Sequence, residues 1–364
     1  MRRRGLLMFA AGLPLAAAGL GATPATAATA MGPPRGRVAG LLAREDHLVR
    51  PGNQTRLRGL VLRLPWSVAQ PTPGAGFSDE AKALLDRAED VGYPFLKLRL
   101  VAGAESPPWA LELGDGPLTG WKDPEDDSEH TVPQWWHDDF LTAYEELLVE
   151  LACALKGRSR WAEVTVSATC TLYAEPCVKQ LGVAANRGKA LAAGYTDAAD
   201  QAALRRSMAA HDRVLTPLGI TSSVAYNPWQ TIDDGAVKVC PATTIALMEH
   251  QRNTMGAYGV WANNSLSARW AGDEPVQTRP EYEAMYQHMA AAAGDGHPVQ
   301  LQTATLAKIQ AAQGSAYATA SWAARHGAVS VELPRGWEQD DDLIDRDRAD
   351  ELNLRFADNA AATL

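Results

Sequence analysis

Short apolar runs of β-character alternate with amphipathic helical segments along most of this chain, and that alternation limits the folds open to it. The runs 57–65, 95–101, 161–172, 220–226, 257–263, 299–305 and 328–333 read as strands. Between them, Ser78 is placed to cap a helix that opens on Asp79 and Glu80 and stops at Gly92 and Pro94. Thr131 and Gln134 have capping-box spacing, and the helix expected to follow carries Trp136, Phe140, Tyr144, Leu147, Leu151 and Leu155 on one stripe. Further helical patterns cover 199–215, 242–253, 280–293, 315–326 and 341–359. Seven strands in repeated β-α order imply a parallel sheet with right-handed crossovers. The segment 36–49, with its GRVAGLL run, is the candidate for an eighth.

Two closures suit that order: a (β/α)8 TIM barrel and an open doubly wound sheet. No G-x-G-x-x-G follows any strand and there is no Walker A run, which counts against the open sheet. The expected fold class is therefore α/β, a single-domain (β/α)8 TIM barrel over residues 31–364.

Residues 1–30 stand outside that domain. Arg2, Arg3 and Arg4 precede a short apolar run to about Leu20, and Ala28-Thr29-Ala30 is a small-x-small cleavage site. This is the pattern of a signal peptide, and Arg3-Arg4-Gly5-Leu6-Leu7 also fits a loose twin-arginine pattern. A membrane anchor is the competing reading, but Pro14 interrupts an apolar core that is already short. An exported protein, secreted or extracytoplasmic and free of the membrane after cleavage, is expected.

The full chain has 34 Lys and Arg against 43 Asp and Glu, a net charge of −9. Loss of residues 1–30 removes three arginines and no acid, and takes the net to −12. A nucleic-acid partner is not expected on such a surface, which suits neutral or cationic ligands better. Four cysteines, Cys153, Cys170, Cys177 and Cys240, allow three pairings in an exported protein or none if they are packed as small apolar residues. The acidic run 123–130 has oxygens for calcium but lacks EF-hand spacing, and reads as a solvated lid. His130 and His137 have no third ligand in sequence, so neither a metal nor another cofactor is expected. A G-x-S-x-G elbow and an S-x-x-K motif are absent, which counts against serine hydrolases.

In a parallel barrel the chemistry sits where strands end and loops begin. Those ends carry Trp66, Trp109, Trp229, Trp261 and Trp337, in a chain with 11 Trp and only 5 Phe. Buried indole N–H groups need partners, so tryptophans gathered at a barrel mouth suit flat ligand faces such as pyranose rings. Tyr173, Asn227, Asn263 and Gln302 lie at the same ends as further ligand-binding candidates. Glu175 is the sharpest candidate for catalysis. A carboxyl desolvated in an aromatic mouth has a raised pKa and serves as a general acid near neutral pH.

Ala174-Glu175-Pro176 resembles the Asn-Glu-Pro that ends strand four in clan A glycoside hydrolases, the cellulase and β-galactosidase group. Trp337 resembles that group's sugar-stacking tryptophan, and the loop 103–109, with Ser106-Pro107-Pro108-Trp109, is similar to a loop after an earlier strand. The resemblance spans about residues 55–340 and implies a saccharide substrate with Glu175 as acid/base. It also makes 299–305 strand seven, where the group keeps a nucleophilic glutamate. This chain departs there, with Gln302 in a strand that has no carboxylate, and it has Ala174 where the group has asparagine. Glu332, in the last strand, is the leading replacement for the second carboxylate; pairing with an arginine such as Arg99 is its structural alternative. Glu105, Asp233, Asp234 and Glu338 are loop candidates for the same role. The expectation is a glycoside hydrolase-like barrel acting through Glu175 and Glu332; the alternative is a carbohydrate-binding barrel that has lost its nucleophile. A cofactor-dependent oxidoreductase is a third reading without a motif.

Overall fold

The computed structural model describes residues 34–44 and 52–363. The expected signal segment 1–30 lies outside the described residues. Eight parallel strands close into a barrel: β1 (Gly40–Arg44), β2 (Gly59–Pro65), β3 (Phe95–Val101), β4 (Trp161–Thr165), β5 (Thr221–Ala225), β6 (Gly259–Leu266), β7 (Val299–Thr303) and β8 (Ser330–Glu332). Each pairs in parallel with its sequence neighbour, and β1 closes the ring on β8 through Gly40 opposite Ser330. The weak candidate at 36–49 is thus the first strand, and 161–165 and 299–303 take places four and seven.

The helices follow the strands as the periodicity required. Ser78 accepts from the Ala81 amide at 3.0 Å to open Asp79–Asp90. Helices Asp197–Leu215, Pro241–Met255, Glu283–Gly294, Ala316–Arg325 and Arg346–Ala361 cover later strands. One start was misplaced. Thr131 belongs to a hairpin, Leu118–Lys122 with Glu129–Val132, and the helix begins at Asp138 with His137 as its cap. The Thr131–Gln134 spacing therefore caps nothing, and Trp136 precedes the helix it was expected to stripe.

The barrel interior is polar. In β3 the leucines Leu96, Leu98 and Leu100 join the main apolar cluster. Lys97 and Arg99 alternate with them and reach Gln300, Gln302 and Glu332 on β7 and β8, strands that are not neighbours of β3. Period two places such residues on the opposite face, here the inside of the barrel. Buried charge is tolerated there because it is paired and hydrogen-bonded. Lys97 lies 3.1 Å from both Glu163 and Glu332, and Gln300 donates to Glu163 at 2.7 Å. Among the described residues no helix is long and apolar enough to cross a membrane.

Candidate functional site

A cavity of about 410 Å³ opens at the carboxyl ends of the strands. Arg44, Arg63 and Arg99 come to it from β1, β2 and β3, and Gln302 from β7. Glu175 enters from the loop after β4. That strand ends at Thr165 rather than running to residue 172, so the motif sits ten residues beyond the strand. Val166 still bonds the Ser223 carbonyl at 2.8 Å, and a turn then follows, with the Cys170 amide on the Ser167 carbonyl. The loop is held from the β3 side. Gly103 has φ +63°, and a Cβ there would collide with the Thr171 carbonyl. Ala104 donates to that same carbonyl at 2.8 Å. Glycine is what allows the two loops to meet this closely.

The Glu175 carboxyl is pushed above its ordinary value, chiefly by burial; the Arg99 charge and a hydrogen bond from Asn264 oppose the rise, while the Glu125 charge adds to it. Glu125 lines the same cavity from the tip of the hairpin after β3, where it pairs with Lys308 at 2.6 Å. The acidic run 123–130 therefore reaches the cavity wall through Glu125, and is tied down where Tyr173 donates its hydroxyl to Asp123. Asn227 lines the cavity at 2% exposure; its carbonyl oxygen accepts from Tyr282 at 2.9 Å, but its amide nitrogen has no acceptor. The Nε of Arg44 is likewise buried without a partner among the described residues.

Glu332 does not face Glu175 as an open carboxylate. It is 2% exposed inside the barrel, is not among the residues that line the cavity, and is held by Arg99 and Lys97. Burial pushes its pKa up, but Arg99, Lys97 and Arg44 outweigh that and bring it down to about 2. Its role is the arginine-paired one, because β8 parity turns it inward at the level of the β3 cations.

Of the sequence candidates, the cavity brings together Tyr173, Glu175, Asn227 and Gln302. The tryptophan platforms are not there. Trp66, Trp229, Trp261 and Trp337 are 0, 1, 0 and 3% exposed. Trp261 donates to the Met248 carbonyl at 3.0 Å and stacks on His288, on the helix side of β6. Trp66 packs edge-on against the half-buried Trp109, whose indole donates to the Gln70 carbonyl. These indoles serve packing because their positions face the helix layer and loop bases rather than the opening. Asn263 is also a core residue, bonded to the Tyr226 carbonyl and the Tyr286 hydroxyl; its neighbour Asn264 is the one in the cavity. Glu105 pairs with Arg63 at 2.6 Å, Asp233 with Lys238 in a hairpin, and Glu338 accepts from Asn53; Asp234 occupies that hairpin's turn at φ +53°. The four cysteines are free thiols, Cys170 and Cys177 buried and Cys153 exposed. Among the described residues no group of three His, Cys, Asp or Glu is placed to hold a metal.

The cavity cations were missed in the sequence. Arg44, Arg63, Arg99, Arg279 and Lys308 face only Glu125 and Glu175 among the lining residues. An acidic overall charge pointed instead to neutral or cationic ligands. The available signal was the alternation Leu-Lys-Leu-Arg-Leu in β3 and Val-Gln-Leu-Gln-Thr in β7, which marks strands with one polar face turned into a barrel.

No family model and no curated protein matches this chain. Solved structures of similar fold include the catalytic domain of beta-amylase from Paenibacillus polymyxa, at TM-score 0.48 and 10% identity over 81% of this chain and 92% of that one. The exo-beta-1,4-mannosidase Op5Man5 from Opitutaceae bacterium strain TAV5 has TM-score 0.46 and 12% identity, covering 88% of this chain and 60% of that one. A beta-galactosidase from the psychrophilic Marinomonas ef1 has TM-score 0.48 and 12% identity, covering 87% and 59%. This chain thus spans about three-fifths of the length of the mannosidase and the galactosidase.

Proposed function

We propose that this protein binds a saccharide in the cavity beside Glu175, as a glycoside hydrolase-like barrel whose strand-seven nucleophile position holds Gln302. The observation that carries this reading is a pair of buried N–H donors without acceptors among the described residues, Arg44 Nε and Asn227 Nδ2, in the same cavity as a carboxyl pushed toward its neutral form. Buried donors left unpaired cost free energy, and an oxygen-rich ligand supplies the missing acceptors. In its protonated form, which burial favours, Glu175 donates a hydrogen bond to a sugar oxygen.

A second reading has one observation in its favour. Glu125 lines the same cavity and its charge acts on Glu175. In that reading Glu175 protonates the departing glycosidic oxygen as the bond to the anomeric carbon breaks. A water oxygen bonds that carbon from the opposite face, and Glu125 takes the water's proton, the inverting route.

Calorimetry against a panel of neutral and acidic disaccharides, with a reducing-end assay on each hit, separates the two. Binding to the wild type is expected to weaken as pH rises through the Glu175 pKa, because the ionised carboxylate no longer donates. Glu175→Gln keeps a donor and removes the titration, so its affinity is expected to be flat across that range. Binding without new reducing ends is the expected result; reducing ends from wild type but not from Glu175→Gln favour the second reading. A wild-type affinity independent of pH overturns the role given to Glu175.

Export is part of the same proposal, carried by Ala28-Thr29-Ala30. The intact mass of the released protein is expected to equal residues 31–364, and a product retaining residues 1–30 in the membrane fraction contradicts it.

A further inference from the structure

The charge in the barrel does not close on itself. Along its interior, among the described residues, Lys97, Arg99 and Arg44 stand against only Glu163 and Glu332. Glu163 is engaged by Lys97 and Gln300, and Glu332 by Lys97 and Arg99. Arg44 is left with the Thr303 carbonyl at 2.8 Å and its hydroxyl at 3.3 Å, and no carboxylate within 4.0 Å among the described residues. Its Nε has no partner among the described residues. Desolvation lowers its pKa to about 10, with Arg99 and Arg335 adding to the fall and Glu332 and Glu175 resisting it.

Arg44 does not stand alone. Arg63 and Arg99 are register partners across β2 and β3, so both side chains rise from one level on one face. Each already has a carboxylate, Glu105 for Arg63 and Glu332 for Arg99, yet both line the cavity. Arg99 also donates to the Gln302 oxygen at 2.6 Å, so the residue at the strand-seven position is itself oriented by a cation. Glu175 lines the same cavity, and burial raises its carboxyl above the ordinary value, which weakens its opposition to an anion. Asn227 adds its free N–H.

We infer that the ligand carries an acidic substituent, a carboxylate or a sulfate ester, seated on the guanidinium floor formed by Arg44, Arg63 and Arg99. Arginine suits this role because its planar fork meets two oxygens of an oxyanion at once, and charge-assisted bonds of that kind are shorter and stronger than neutral ones. An entering anion also offsets the desolvation that Arg44 bears without a directly paired carboxylate among the described residues. This rests on the reading of the cavity as a saccharide site, and refines it: a uronate or a sulfated sugar rather than a neutral one.

The test uses matched trios of β-linked glucose, galactose and mannose disaccharides, each as the neutral sugar, the C6-oxidised uronate and the 6-O-sulfate, titrated into the protein alongside sodium sulfate. In at least one trio an acidic member is expected to bind tenfold or more tighter than the neutral one. If the uronate alone gains, the substituent is a carboxylate; if the sulfate ester alone gains, a sulfate. Arg44→Gln is expected to cut the ratio of acidic to neutral affinity at least fivefold, with an unchanged thermal midpoint as the check on folding. Arg63→Gln, at the more open side of the floor, serves if Arg44→Gln does not fold. Neutral members binding as tightly as acidic ones overturn this inference and leave the saccharide reading standing. Binding of sodium sulfate with no disaccharide bound supports the anion floor and overturns the saccharide reading. Absence of binding by every probe overturns both.

Discussion

Glu332→Gln is expected to destabilise the fold by about 3–5 kcal/mol, the scale for breaking a buried ion pair from one side. The reason is what the change leaves behind. Lys97 keeps Glu163, but Arg99 loses the one carboxylate it is ion-paired with among the described residues and stays buried beside Arg44. A loss of that size is a large share of the roughly 5–15 kcal/mol that holds an ordinary domain together. The same carboxylate sets a pH dependence with a definite sign. Its folded pKa of about 2 lies below the ordinary value of 4.5, so it contributes stability above pH 4.5 that is lost as pH falls toward 2. The gap between those values corresponds to roughly 3 kcal/mol. Urea unfolding of wild type and Glu332→Gln is expected to show widely separated midpoints at pH 7 and a much smaller separation near pH 2.5. Equal midpoints at pH 7 contradict the pairing. Glu175 acts with the opposite sign: a raised carboxyl favours the folded state while protonated, and that contribution fades as pH rises through its folded pKa.

Trp66→Ala is expected to cost a similar amount, about 3–5 kcal/mol, through the cavity it leaves. Trp66 is wholly buried at the end of β2, with Phe140, Trp109 and Tyr144 at ring distances of 5.3, 5.7 and 5.8 Å. Its indole N–H reaches Gln70 at 3.3 Å, so its polar edge is satisfied without any ligand. The thermal midpoint is expected to fall by several degrees while saccharide affinity, measured below that midpoint, stays within twofold of wild type. A large affinity loss with little change in midpoint restores Trp66 as a stacking platform and contradicts its placement in the core.

That contrast shows where the sequence was legible. Repeated β-α order marked seven of the strands, because a strand flanked by turn residues and followed by an amphipathic helix is written into local pattern. The first strand, Gly40–Arg44, was the faint one, since Gly-Leu-Leu-Ala-Arg carries no β-branched or aromatic residue. Glu175 was found because Ala-Glu-Pro stands out after a strand, and the Gln302 departure because strand seven has no carboxylate. What one dimension does not carry is which way a side chain at a strand end turns. Trp261 and Gln302 look equally placed in the sequence, yet one faces the helices and the other the cavity. Arg44, Arg63 and Arg99 are separated by up to 55 residues and look like ordinary scattered cations until β1, β2 and β3 lie side by side. Glu332 needed the closure of the ring as well, since its partners come from across the barrel. The Thr131 capping box failed for a related reason: pairing of Glu129–Val132 with Leu118–Lys122 drew that residue into a hairpin.

The most direct measurement of the central claim is a crystal structure of the protein soaked with the tightest-binding disaccharide of the matched trios. The expected result is the sugar in the cavity at the strand ends, within hydrogen-bond distance of Glu175 and Asn227, with its acidic group on Arg44 and Arg99. A ligand bound elsewhere on the protein, with this cavity empty, contradicts it.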